Sequence, residues 1–226
     1  MGDWQRMRAS QHPEAAFLAA MTASATHEVR NVLAIIKESA GLIEDIFQVS
    51  SKSGGPDKEK IYRSVHRIDT QVKRGADLLS NLNRLSHSLD QELATVDLKE
   101  EVELAVFLSQ RFARKKGISV TVVEEAGGAR ATVHPLHLQM ALFTAIERCI
   151  DELAEGASIT VGLQDARGTP VVEVRGVQER GTGGSTPASQ EAWVYLEGLV
   201  ESLGATLERS EEDFGIRISF HPAKIS

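Results

Sequence analysis

The chain has 226 residues, 42% of them hydrophobic, enough for one large domain or two small ones with cores of their own. With 25 Lys and Arg against 32 Asp and Glu, the formal charge is −7, the wrong sign for a protein that coats nucleic acid or anionic membrane. The lone cysteine, Cys149, excludes an intramolecular disulfide, no run approaches the ~20 apolar residues of a membrane span, and the opening MGDWQRMRASQHPEAAF lacks the marks of a secretory signal, so a cytoplasmic location is expected.

Hydrophobic spacing divides the chain near residue 95 into a helical part, 1–95, and a part of mixed pattern, 96–226. In the first helix Leu18, Thr22, Ala25, Val29, Val32, Ile36, Ser39, Ile43 and Ile46 step by four and three, a heptad seam, and Pro13 suits its first turn. The stretch SSKSGGPD at 50–57 breaks that helix. A second seam follows through Ile61, Val65, Ile68, Val72, Gly75, Leu79, Leu82, Ser86, Leu89 and Leu93, so the two helices form an antiparallel hairpin. Apolar flanks at Leu33, Leu42, Phe47, Leu78 and Leu85 lie off these seams and still need a partner, which a dimeric four-helix bundle supplies; a hairpin folded back on its own C-terminal domain is the other solution.

The segment 96–117 reads as a short strand and a helix closed by Gly117, and the β-branched run from Ile118 to Val123 as a strand. His134 and Pro135 open a helix through Glu155, and ASITVGLQ and TPVVEVRGV alternate as an antiparallel pair around a turn at Asp165 to Gly168. A Gly-, Ser- and Thr-rich loop leads to a helix from Trp193 to Leu203, and ATLERS and GIRISFHP are the last strands. The fold class expected is α+β: an N-terminal helical hairpin, then a two-layer α/β sandwich with about three helices on one face of a sheet of about five strands.

The most informative local string is His27-Glu28-Val29-Arg30-Asn31. At about 100° per residue His27 stands about 200° from Val29, so with Val29 on the seam the imidazole points to solvent. Asn31 shares that face, and the small residues Ala20, Ala23, Ser24, Ala34 and Gly41 around it allow a partner's backbone to come close. An exposed imidazole on a rigid helix suits covalent phosphoryl transfer, because its nitrogen is nucleophilic near neutral pH. Glu28 can orient the ring or take its proton, Asn31 can hold a water or a phosphoryl oxygen, and Arg30 can offset developing negative charge. Spacing alone favours an ordinary solvated histidine with charged neighbours.

The string HEVRN resembles the phospho-acceptor box of two-component sensor histidine kinases, where an acidic residue follows the histidine and Asn or Thr stands four places on. The resemblance runs over roughly residues 17 to 222. The run from LLSNLNRLSH into ISVTV is similar to the kinases' second bundle helix and its passage into the catalytic domain, LHLQMALFTAIERCIDEL to the helix that carries their nucleotide-binding asparagine, and LVESLGATLERSEEDFGIRISF to the end of that domain. It implies a dimerisation and phosphotransfer hairpin, with His27 as phospho-acceptor, followed by a Bergerat-type ATPase fold.

The departures fall where ATP and magnesium would bind. Arg148 occupies the place of the metal-coordinating asparagine, a fixed cation with no acceptor oxygen; its neighbours Glu147 and Cys149 restore none, and the upstream acidic or amide position is Thr144. The first glycine box gives only Gly176, Gln178 and Arg180, without its adenine-reading aspartate, and ASQEAW, aligned with the second, has no glycine. Gly181, Gly183 and Gly184 read as a flexible loop. The expectation is a catalytic-domain fold without nucleotide or metal of its own.

A phospho-acceptor histidine beside a degenerate ATPase domain resembles the dimeric histidine phosphotransferases of bacterial phosphorelays, of the ChpT type. That resemblance implies response-regulator receiver domains as partners, together with a hybrid histidine kinase, the Mg²⁺ belonging to the receiver. It also implies a docking surface of His27, Arg30, Asn31 and the small-residue face; helix pairing adds Lys73, Arg74 and Asp77 on the second helix, which read as well as solvated charges. Whether the chain is an enzyme in its own right stays open, because a response-regulator phosphatase, a non-catalytic pseudokinase adaptor and a divergent kinase share much of this pattern. Of the other histidines, His134 and His137 have a spacing that suits a metal pair but lack a Cys or carboxylate to complete it, and the basic run Arg111, Arg114, Lys115, Lys116 is placed to offset a helix dipole.

Overall fold

The computed structural model describes residues 10–50, 55–124, 129–166, 168–178, 190–210 and 214–221. These fall into two compact units, one taking in the described residues up to Leu18 and from Leu85 onward, the other Ala19–Arg84. The fold class is α+β, a helical hairpin followed by a layered α/β domain.

Helices α1 (Pro13–Ser50) and α2 (Lys58–His87) are the hairpin. Pro13 occupies the first turn of α1, where a missing N–H costs nothing. Asp57 starts α2, its Oδ1 accepting the backbone N–H groups of Glu59 and Lys60 at 3.1 Å each, and the bond from Lys60 is the largest cause of its carboxyl lying below the usual range. Arg74 bonds Glu28, and Arg67 bonds Glu38 at 3.4 Å, which fixes the antiparallel register. A Cβ on Gly75 would lie 3.3 Å from Val32 Cγ1, so the helices meet closely here, where a side chain is absent.

Both expected seams are rotated in part. On α1 the buried residues include Ser24, Ala25, Glu28, Val32 and Ser39, while Thr22 is exposed and Val29 only half-buried. On α2 Ser64, Leu78 and Leu85 are buried, whereas Val65, Val72 and Leu79 are 51%, 53% and 59% exposed. The apolar heptad read from the sequence puts β-branched Val65 and Val72 at the contact, but small Ser24, Ser64 and Gly75 let the backbones approach further, and the contact line follows them. Leu33, Leu42 and Phe47 stay exposed as expected, and Leu78 and Leu85 do not.

In the second part, β1 (Ala94–Asp97), α3 (Leu98–Lys115), β2 (Ser119–Glu124), β3 (Arg130–Val133), α4 (Pro135–Glu152), β4 (Ser158–Ala166), β5 (Thr169–Val177), α5 (Gln190–Ser202), β6 (Ala205–Ser210) and β7 (Gly215–Phe220) follow in order. Five strands form one sheet, β2-β4-β5-β7-β6, with β2 and β4 parallel and the other neighbours antiparallel. The pair β1 and β3 is a separate antiparallel ribbon. Strand alternation sends Ile159, Val161, Leu163, Val172, Val174, Ile216 and Ile218 into the core with α3, α4 and α5. The opposite alternation carries Glu173, which bonds Arg175 at 3.0 Å and Arg217 Nε at 2.7 Å.

Capping accounts for the helix limits. Asp97 caps α3, with Oδ1 accepting from Lys99 N at 2.9 Å, and Gly117, at φ 68°, takes the left-handed turn that releases the chain into β2. His134 caps α4 through Nδ1, which accepts the His137 N–H at 3.4 Å, with Pro135 following. The far end of α4 stops at Glu152, three residues short of expectation, because Leu153 turns extended. There the carbonyls of Ile150 and Asp151 accept from Lys116 Nζ, so one cation of the basic run offsets the dipole of α4 instead of its own helix. At the other end the His134 and His137 rings stack with centroids 4.1 Å apart, and His137 Nε2 meets Glu14 at 2.7 Å. Phe17 packs edge-on against Phe143 at 5.6 Å within the same unit.

Candidate functional site

His27 lies on the exposed face of α1, one turn before Asn31, and the Asn31 side-chain amide meets its Nδ1 at 3.2 Å. Both are exposed, as is Arg30 between them. Around them Ala23 and Ala34 are exposed and Ala20 is half-buried, so the approach to the ring is low and open; Ser24 lies buried in the hairpin. The imidazole therefore has one nitrogen held along the helix and the other, Nε2, farther from the backbone.

Glu28 points elsewhere. With the buried line of α1 passing through Ser24, Glu28 and Val32, its carboxylate is only 12% exposed and is taken by the Arg74 guanidinium across the hairpin. Such a pair locks the two helices together beside His27, and its hydrogen bonds compensate the partly desolvated carboxylate. Arg74 thus comes next to the candidate site through Glu28. Lys73 pairs along its own helix with Asp69 at 2.7 Å, and the hydrogen bond and charge of each partner raise the lysine pKa and lower the aspartate's; Asp77 is exposed one turn after Lys73.

The second place of interest lies on α4. Arg148 is 2% exposed at its side chain, bonds Glu152 at 2.7 Å and sets its guanidinium carbon 5.1 Å from the ring centre of Trp193 on α5. Arg209 on β6 lies 5.0 Å from the same ring, so the indole has two cations over it. A buried guanidinium already committed to a carboxylate and an indole has only donors to offer, whereas a magnesium ion binds acceptor oxygens. Thr144 and Glu147 are also buried. Cys149 is buried, donates through Sγ to the Phe214 carbonyl at 3.4 Å, and desolvation pushes its thiol up to about 12, which makes it a packing residue and not a nucleophile.

Gly176, the surviving glycine of the first box, has a packing reason to be glycine: a Cβ there would stand 2.8 Å from Leu153 Cδ1 and 3.2 Å from Phe214 Cβ. Gln178 accepts the Ala154 N–H at 3.2 Å and tethers the turn after α4. Arg180, Gly181, Gly183, Gly184 and the first two residues of ASQEAW lie outside the described residues. Among the described residues no group of three or more His, Cys, Asp or Glu is placed to hold a metal ion, and no helix is long and apolar enough to cross a membrane. Sequence reasoning missed the joint role of Trp193 and Arg209, which come from different elements; an indole with arginines on two flanking elements was the available signal.

No family model and no curated protein matches the chain. Solved structures similar to it include the cytoplasmic segment of histidine kinase QseC, at 19% identity over 66% of this chain and 94% of that one, with a TM-score of 0.47. Acinetobacter baumannii histidine kinase AdeS is 13% identical over 88% of this chain and 98% of its own, also at 0.47. Histidine kinase ThkA in complex with response regulator protein TrrA is 17% identical over 98% of this chain and 67% of that one, at 0.46.

Proposed function

We propose that the protein is a homodimeric histidine phosphotransferase that carries phosphoryl groups between receiver-domain aspartates on His27, without using ATP. The observation that carries this reading is the exposed His27 imidazole, bonded to Asn31 on an open helix face of small side chains. An acyl phosphate on a receiver can reach that ring without a cleft having to open, and Arg30 on the same face offers its charge to the transferring group. Supporting the exclusion of ATP is Arg148, whose buried guanidinium is bound to Glu152 and Trp193 where the resemblance would require an asparagine. Supporting the dimer are Val65, Val72 and Leu79, an uncovered line on α2 at heptad spacing, with Leu33, Leu42 and Phe47 on α1; a second hairpin is the simplest cover for both.

The test is transfer from a panel of phosphorylated receiver domains to the wild-type protein and to His27→Ala, with an ATP-only arm. Acid-labile label on the wild type alone supports the proposal. Loss of receiver phosphate without label on the protein replaces it with a phosphatase, label from ATP alone with a kinase, and binding without either with an adaptor.

A further inference from the structure

We propose that Asn31 is the residue that sets the tautomer of His27, the task that the sequence assigns to Glu28; the inference rests on the reading of His27 as the phosphoryl carrier. Neutral imidazole holds one proton, and only the nitrogen without it has a lone pair for attack. Glu28 neighbours His27 in sequence, yet its carboxylate is turned into the hairpin and bonded to Arg74. The polar group at Nδ1 is the Asn31 carboxamide, whose Nδ2 lies 3.2 Å away and in that orientation donates to Nδ1 and leaves the ring proton on Nε2. A carboxamide presents either nitrogen or oxygen by a half-turn, and the exposed Asn31 side chain has no other bond among the described residues to oppose that turn.

Attack from Nε2 selects the turned amide: with Oδ1 facing the ring, Nδ1–H donates to Asn31 and the lone pair falls on Nε2, the nitrogen farther from the helix. In transfer, that lone pair forms the N–P bond while the P–O bond to the receiver aspartate breaks, its electron pair leaving on the carboxylate. The ring becomes a cation that keeps its Nδ1 proton on Asn31, so no base need remove a proton during the step and charge is conserved. Arg30, one turn along the same face, is the charged neighbour available to the phosphoryl oxygens. Asn31 is a positioning residue, since it acts through the imidazole and touches no substrate atom.

The experiment combines nitrogen NMR of histidine-labelled protein with transfer from a phosphorylated receiver. In the wild type the His27 nitrogens are expected to report a proton mainly on Nδ1. Asn31→Ala shifts that population toward Nε2–H and slows transfer about two- to tenfold, the worth of one ordinary hydrogen bond. Asn31→Asp, which keeps an acceptor at the same reach and adds charge, restores the Nδ1–H signature and moves the pH midpoint of transfer upward. Unchanged nitrogen shifts in Asn31→Ala overturn the assignment, as does a tautomer change produced by Glu28→Gln and not by Asn31→Ala. Absence of His27-dependent label on the wild type sinks the carrier reading alone, because the nitrogen spectra judge Asn31 without it.

Discussion

Arg148→Met, which keeps an unbranched apolar stem and removes the guanidinium, tests whether Arg148 is a fixed part of the α4 core. Arg148 and Glu152 are 2% and 17% exposed at their side chains and lie 2.7 Å apart, so removing one partner leaves a carboxylate with little access to water. Breaking a buried pair in this way costs about 3–5 kcal/mol. The lost cation contact with Trp193, 5.1 Å from the guanidinium, adds about 0.5–1 kcal/mol. For a chain of this size the sum lowers the midpoint of thermal unfolding by roughly 7–24 °C. Thermal melts followed by Trp193 fluorescence in a Trp4→Phe background measure it, with the double variant Arg148→Met/Glu152→Leu as the control that removes both charges. The double variant is expected to recover most of the loss, because paired charges replaced together by apolar groups are often neutral. A single variant within about 0.5 kcal/mol of wild type, the range of an ordinary surface change, would refute the reasoning.

Three further outcomes follow from the structure. Arg74→Ala takes the guanidinium away from the Glu28 carboxylate, 12% exposed in the hairpin, and is expected to cost about 1–3 kcal/mol, read as an earlier loss of helical circular dichroism in urea; Arg74→Lys restores part of it. Burial first, and His137 second, hold the His134 pKa below 6.5, so the unfolded chain takes up a proton at higher pH than the folded one, and stability falls as pH drops below about 6.5. His134→Asn keeps an acceptor at the N-cap and should flatten that dependence in melts run across pH; an unchanged slope would show that His134 is not its source. Cys149, buried and with its thiol at about 12, is expected to resist a thiol-reactive dye at neutral pH in the native protein and to react once urea unfolds it.

Periodicity made much of the fold legible. The alternation in SVTVVE, SITVGLQ and TPVVEVRGV, and the Gly and Pro signals around 117 and 135, are local physics, and β2, β4 and β5 form, and α4 starts, where that physics places them. β3 was not legible, because RATV has a single weak alternation and its partner β1 lies more than thirty residues away in register. The direction of Glu28 was not legible either: one residue of rotation in the contact line swings a side chain by about 100°, and that rotation is decided jointly by Ser24, Ser64 and Gly75 on two helices. The outward position of His27 and its i to i+4 relation to Asn31 could be read from a wheel, since both belong to one helix. The grouping of Arg148, Trp193 and Arg209 is a product of tertiary packing, with its members on α4, α5 and β6.

The parallel pairing of β2 with β4 bears on the kinetics of folding. Strands β4 and β5 join through a tight turn with Gly168 at φ 85°, so their ladder closes with little loss of chain entropy. β2 joins β4 only after β3 and the whole of α4 have been laid across the intervening chain, and Ser119 must find Ser158 before any of that ladder forms. Contacts of such separation are slow to form and tend to come late. Mutations near Gly168 should therefore act chiefly on the folding rate, and mutations in β2 chiefly on the unfolding rate, a division that a pair of chevron plots would expose or abolish.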